Sequence, residues 1–240
     1  MMRLDRFLAI NKYGTRQEVK KMIRAGRTTV DGQVIKSPEY KLEEETAKVA
    51  VDGKTVSYEK YHYIMLYKPV GCVSSTYEKG ERSVLSYIDE VYAGDLFPVG
   101  RLDKDTQGLL LLTNDGELSH QLLSPSKHVD KRYYVELEQE VTEDAVRKFQ
   151  EGIDIGDENP TMPAVLEFTS HPQHVYVTLH EGRYHQIKRM FEALDNRVVY
   201  LKRISMKELV LDETLKPGEY RKLTEDEIIK LKGGFLCGSH

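Results

Sequence analysis

Cysteine is scarce in this 240-residue chain. Its two thiols, Cys72 and Cys237, are far apart and form no metal-ligand pattern. A disulfide-stapled secreted fold is therefore excluded, and reduced thiols inside the cytoplasm are expected. No apolar run approaches the roughly 20 residues that cross a bilayer. The start, Met1-Met2-Arg3-Leu4-Asp5-Arg6, lacks the apolar region of an export signal, so no membrane role is expected. Internal repeats and low-complexity tracts are missing, as are a Gly-x-Ser-x-Gly elbow, a P-loop and a dinucleotide fingerprint. His171 with His174, and His180 with His185, lie close in sequence but lack carboxylates at metal-site spacing. Neither a metal nor a nucleotide cofactor is expected.

What is present is a charge asymmetry. The net charge is −4, which by itself argues against nucleic acid. Yet residues 3–27 hold eight Lys or Arg (Arg3, Arg6, Lys12, Arg16, Lys20, Lys21, Arg24, Arg27) against Asp5 and Glu18, a local balance of +6. The same stretch reads as two helices. Leu4, Phe7 and Leu8 have helical spacing; Thr15-Arg16-Gln17-Glu18 has the form of a capping box; Val19, Met22 and Ile23 give an apolar face, and Gly26 ends the helix. Arg16, Lys20 and Arg24 recur every fourth residue and form a basic row. Asp31-Gly32 and Asp52-Gly53 then mark hairpin turns. With Arg3-Leu4-Asp5 and Val30-Asp31-Gly32, this arrangement resembles the S4 RNA-binding domain, which implies RNA contacts from Arg3, Arg16, Lys20, Arg24 and Arg27. The limits expected for it are residues 1–58, followed by a polar linker, Ser57-Tyr58-Glu59-Lys60.

The larger part, residues 61–232, alternates strands and helices. Tyr63–Tyr67, Leu109–Leu112, Lys131–Leu137, Val175–Leu179 and Val198–Ile204 read as strands. Helices are expected over Glu117–Leu123, after Thr142 with Ala145, Val146 and Phe149 inward, and through Ile187, Met190, Phe191 and Leu194. Between strands lies Gly100-Arg101-Leu102-Asp103-Lys104-Asp105-Thr106-Gln107-Gly108, a polar loop placed to present a carboxylate. A second basic run, Glu181–Lys207, has seven Lys or Arg against three acids, a balance of +4. Residues 233–240 break the pattern, and Gly238-Ser239-His240 has the look of a tag remnant.

The Gly-Arg-Leu-Asp segment, Lys131-Arg132-Tyr133 and His185-Gln186-Ile187-Lys188-Arg189-Met190, in that order, resemble the pseudouridine synthases of ribosomal RNA that carry an S4 domain, and most of all the RsuA type. The resemblance implies an α+β fold, an S4 domain joined to a catalytic domain with a mixed, largely antiparallel sheet flanked by helices. It puts the catalytic carboxylate on Asp103, a base-packing role on Tyr133, and on Lys188 the cation that keeps the carboxylate ionised. Arg101, Arg183 and Arg189 join the expected RNA contacts, and the four clustered histidines are read as surface or RNA-contact residues. Pseudouridine formation breaks C1′–N1 and joins C1′ to C5; it needs no cofactor. The expected substrate is one uridine of 16S rRNA within a small-subunit assembly intermediate, modified by a monomer. The alternatives are a 23S rRNA paralogue and a non-catalytic S4 protein.

Overall fold

The computed structural model describes residues 1–56 and 58–233. Ser57 of the expected linker, and the expected tail beyond Gly233, lie outside the described residues. The chain folds as two compact units, Met1–His62 with Asp89–Gly94, and Tyr63–Ile88 with Asp95–His240.

In the first unit, β1 (Met2–Arg3) leads into α1 (Leu4–Ile10) and α2 (Arg16–Arg24). The capping box is complete: the Glu18 amide donates to Thr15 Oγ1 at 3.3 Å, and the Thr15 amide donates to Glu18 Oε2 at 2.8 Å. Leu4, Phe7, Leu8, Val19 and Ile23 bury their side chains against Val30, Val49 and Val51. These come from β2 (Thr28–Val30) and β5 (Val49–Val51), the middle of a four-stranded sheet completed by β3 (Gln33–Val34) and β6 (Lys54–Thr55). A short β4 (Lys41–Leu42) pairs with β1. Both residues of each Asp-Gly turn have positive φ, 51° and 80° at Asp31-Gly32 and 48° and 79° at Asp52-Gly53. That geometry matches the right-handed twist of the strands they join.

The second unit is built on a nine-stranded sheet. Its strands are β7 (Tyr63–Lys68), β8 (Phe97–Pro98), β9 (Gln107–Thr113), β10 (Lys131–Leu137), β11 (Val165–Phe168), β12 (His174–Leu179), β13 (Val198–Met206), β14 (Leu209–Val210) and β15 (Tyr220–Lys222). The order is β11-β12-β10-β13-β9-β7-β15, with β8 on β9 and β14 on β13. The helices are α3 (Gly116–Leu123), α4 (Glu143–Glu151), α5 (Gln186–Glu192) and α6 (Glu225–Lys232). Two helix expectations need correction. α5 stops at Glu192, so Leu194 lies beyond it and is only half-buried, and Val146 is likewise half-buried while Ala145 and Phe149 are fully inside.

Among the described residues the strands pair antiparallel except at one place. β9 and β13 run parallel through Gln107↔Lys202 and Gly108↔Arg203. The approach is so close that a Cβ on Gly108 would stand 2.2 Å from the Arg203 carbonyl oxygen, and Gly108 has a φ of +110°. Only glycine meets both conditions. Leu109–Leu112 are fully buried at the centre of the sheet, at about 1.5–3 kcal/mol for each such side chain. They anchor the loop that precedes them.

Candidate active site

The loop before β9 is held from below. Lys68, at the end of β7, is fully buried. Its Nζ donates to three backbone carbonyls: Pro69 at 3.1 Å, Asp103 at 2.9 Å and Thr106 at 2.9 Å. Ser74 accepts from the Leu102 amide at 3.0 Å and donates to the Leu102 carbonyl at 2.8 Å. The Gly71 amide donates to the Lys104 carbonyl at 2.7 Å. The backbone on either side of Asp103 is thus fixed by buried partners, while its side chain opens on a cleft of about 620 Å³. That volume suits a nucleoside.

Lys188, from α5, reaches Asp103. Its Nζ lies 3.0 Å from Asp103 Oδ2 and 2.6 Å from Asp105 Oδ1, bridging both carboxylates. Burial pulls the Lys188 ammonium down, but Asp105 and Asp103 outweigh it and hold it above its ordinary value. Burial pushes Asp105 up, and the Lys188 hydrogen bond outweighs that, leaving Asp105 below the usual carboxylate range. His185, read from the sequence as a surface or RNA-contact residue, lies beside the carboxylate. It sits in the left-handed region, with φ of 47°, and its Nε2 is 3.7 Å from Asp103 Oδ1. Exposed Tyr184 stacks on it at 3.8 Å.

Tyr133 alternates inward with Lys131, Val135 and Leu137 on β10 and lines the cleft; Tyr134 faces the other way, half-buried, its hydroxyl 2.8 Å from His174 Nδ1. Arg101 stands exposed at the cleft, with no partner among the described residues. Arg183 and Arg189 have their charge met within the protein. Arg183 binds Glu181 Oε2 at 2.9 Å and the carbonyls of Asn159 and Pro160 at 2.7 and 2.8 Å; Arg189 binds Asp157 Oδ1 at 2.5 Å. Arg203, counted in the same basic run, is buried in the sheet. The +4 of Glu181–Lys207 is therefore no free cationic face. In the first unit, Arg16 and Arg24 are exposed and without partners among the described residues, and Lys20 lies 4.0 Å from Asp5. Arg3 pairs with Asp5 and Glu39, and Arg27 with Asp52.

Among the described residues no group of three or more His, Cys, Asp or Glu could hold a metal ion, and no helix is long and apolar enough to cross a membrane.

A carboxylate presented to a nucleoside-sized cleft, in a chain with a basic two-helix unit, fits an RNA-directed enzyme. Comparison with known proteins gives the group. The family model described as RNA pseudouridylate synthase matches residues 62–193, and that of the S4 domain matches residues 2–48. The chain belongs to the RNA pseudouridylate synthase family: it is an isomerase with an S4 domain. It is 43% identical over 231 residues to "Uncharacterized RNA pseudouridine synthase YtzG" of Bacillus subtilis, covering 95% of this chain and 97% of that one. It is 44% identical over 229 residues to "Ribosomal small subunit pseudouridine synthase A" of Escherichia coli, covering 95% and 98%. A solved structure described as a pseudouridylate synthase superposes with a TM-score of 0.69 at 42% identity, over 96% of this chain and all of that one.

Proposed function

We propose that the protein converts one uridine of 16S rRNA to pseudouridine, with Asp103 as the catalytic carboxylate. The observation that carries this reading is Asp103 itself: backbone locked, side chain open to the cleft, and the Lys188 ammonium 3.0 Å from its Oδ2. In this reading Lys188 keeps the carboxylate charged and Tyr133 packs against the target base. Breaking C1′–N1 leaves its electron pair on uracil; the base turns, C5 bonds to C1′, the C5 proton leaves and N1 takes one up. The sum is an isomerisation, so it balances without a redox partner, metal or nucleotide. The uridine must first be extruded from its stack.

Residues 1–58 serve as the RNA anchor and residues 61–232 as the catalytic domain. Arg16, Lys20 and Arg24, with Arg101 at the cleft, carry most of the phosphate binding; Arg3, Arg27, Arg183 and Arg189, already paired with carboxylates, add less. Small-subunit rRNA is favoured by the name of the Escherichia coli relative and those like it. The protein acts as a monomer in the cytoplasm on an assembly intermediate, because nothing in the chain reads as a motor able to open finished RNA.

Because C5 loses its hydrogen, tritium release from RNA labelled at uridine C5 tests the chemistry. Wild-type protein should release tritium, and Asp103→Asn should not, with RNA affinity unchanged to within about twofold. Product from Asp103→Asn at near wild-type rate sinks the assignment. Offering free 16S rRNA, a partly assembled particle, mature small subunits and 23S rRNA in equal amounts tests the substrate; the partial particle should be modified fastest.

A further inference from the structure

The floor of the cleft carries positive charge that the scheme above does not use. Lys131 and Arg203 line it at 6% and 2% exposed, Lys68 beneath the Asp103 loop is 0% exposed, and none of the three makes an ion pair among the described residues. Lys68 places its ammonium on three carbonyls and is satisfied. The other two are not. Lys131 Nζ has a single partner, the Val129 carbonyl at 3.1 Å. Arg203 donates from Nε to the Leu109 carbonyl at 2.8 Å, yet its buried Nη2 has no partner. The buried hydroxyl of Thr106 is also unpartnered. All three line the cleft. A buried polar group left unmatched costs on the order of 1–3 kcal/mol, and here two of them, Arg203 Nη2 and the Thr106 hydroxyl, line one cleft with the singly bonded Lys131 ammonium.

Position says what completes them. Lys131 lies two residues before Tyr133 on the same face of β10, and Arg203 is the register partner of Tyr133 on β13. A base laid on Tyr133 would turn its edge to both. A phosphodiester, charged and tied to the RNA chain, belongs at the solvent side of the cleft rather than on a floor less than one-tenth exposed. Burial and the nearby Arg203 push Lys131 down to about 8, and an anionic oxygen would relieve that repulsion.

We propose that Lys131, Arg203 and Thr106 form a base-edge subsite that holds the carbonyl oxygens of the target uracil and stabilises them as C1′–N1 breaks. This rests on the reading of the cleft as the isomerase site. By either use of Asp103, attack on C1′ or removal of a sugar proton, the electron pair of the broken bond stays on the base and spreads from N1 to O2 and O4. Donors preorganised at those oxygens are stronger in the transition state than in the ground state. The subsite also selects the base: cytosine puts an amino donor at position 4, against the Lys131 ammonium and the Arg203 guanidinium, which have no acceptor to offer.

The test compares wild-type protein, Lys131→Met and Lys131→Arg by tritium release from C5-labelled 16S rRNA, with thermal unfolding as control. Lys131→Met should lower kcat about 10- to 100-fold, at or below the usual effect of removing one such donor. Its KM should stay within about twofold, because phosphate contacts elsewhere carry affinity. Lys131→Arg should recover most of the loss. Wild-type kcat in Lys131→Met, or no recovery in Lys131→Arg, overturns the subsite while leaving the isomerase reading standing. A wild-type protein that releases no tritium overturns both. If Lys131→Met does not fold, Thr106→Val takes its place; a roughly 3- to 10-fold fall in kcat at constant KM supports the subsite, and an unchanged kcat refutes it.

Discussion

Replacing Lys68 by methionine should loosen the Asp103 loop without touching any group that faces substrate. The side chains are close in length, so packing is largely kept, and the change falls on three hydrogen bonds of 3.1, 2.9 and 2.9 Å. A charge-assisted bond contributes about 1.5–3 kcal/mol, so three contribute roughly 4.5–9 kcal/mol gross. Against this stands the cost of taking an ammonium out of water, several kcal/mol; the same burial holds the Lys68 pKa below its ordinary value. The net loss expected is roughly 2–4 kcal/mol. For a chain of this size each kcal/mol lowers Tm by about 2–4 °C, so the fall should be roughly 4–16 °C. The freed Asp103 and Thr106 carbonyls seek other donors, and the carboxylate moves with them. A shift near 1 Å in a reacting group costs on the order of 100-fold in rate. Circular dichroism during heating and tritium release at a temperature where both proteins are folded read the two effects separately. A Tm within about 1 °C of wild type and an unchanged kcat would refute the reasoning.

Gly108→Ala should destabilise by about 2–5 kcal/mol, from a positive φ and a Cβ driven onto the Arg203 carbonyl; urea unfolding at wild-type midpoint would contradict it. Asp115 is buried, capping α3 through the Leu118 amide at 3.0 Å and accepting from the Tyr63 hydroxyl at 2.6 Å. Burial pushes its carboxyl up, but the Tyr63 and Leu118 hydrogen bonds outweigh this and hold it below the usual range. Its stabilisation is therefore present above the unfolded pKa near 4 and lost as pH falls through the lower folded value. Asp115→Asn should flatten the loss of Tm below about pH 4, and an identical acid profile would argue against this. Arg24→Ala should weaken RNA binding uniformly across sequences and reduce the salt slope by about 1; a slope unchanged in a filter-binding titration removes Arg24 from the phosphate contacts.

Local signals in the sequence carried far. The limits of β10 and the Thr15 capping box follow from alternation and from a four-residue pattern, both properties of neighbours in the chain. The motifs also brought Asp103 and Lys188 forward together, and the two side chains meet. The rest depends on register, which one sequence does not display. Arg203 looks like any solvent-facing cation in a strand until its pairing with Tyr133 and Gly108 turns it inward. Lys68 looks like the first residue of a Lys-Pro turn, and its three carbonyl partners are visible only once the loop has closed over it. Arg183 and Arg189 count as free charge until the segment around Asp157, some thirty residues away, folds back to meet them.

The two-pair parallel join of β9 and β13 has a consequence in time. β10 to β13 come from residues 131–206, and β7 to β9 from residues 63–113. Within each set the paired strands are nearer in sequence, as in Lys68 with Gly108 and Leu137 with Val198, whereas the join between them links residues such as Leu109 and Arg203, 94 apart. Loop closure favours the near pairings first, so the two half-sheets should form early and the join last. Asp103 rides on one half; Tyr133, Lys188 and Arg203 ride on the other. Refolding chains should therefore regain strand content before they regain any trace of activity, and the Lys188 bridge, spanning 85 residues, would mark the moment the enzyme comes into being.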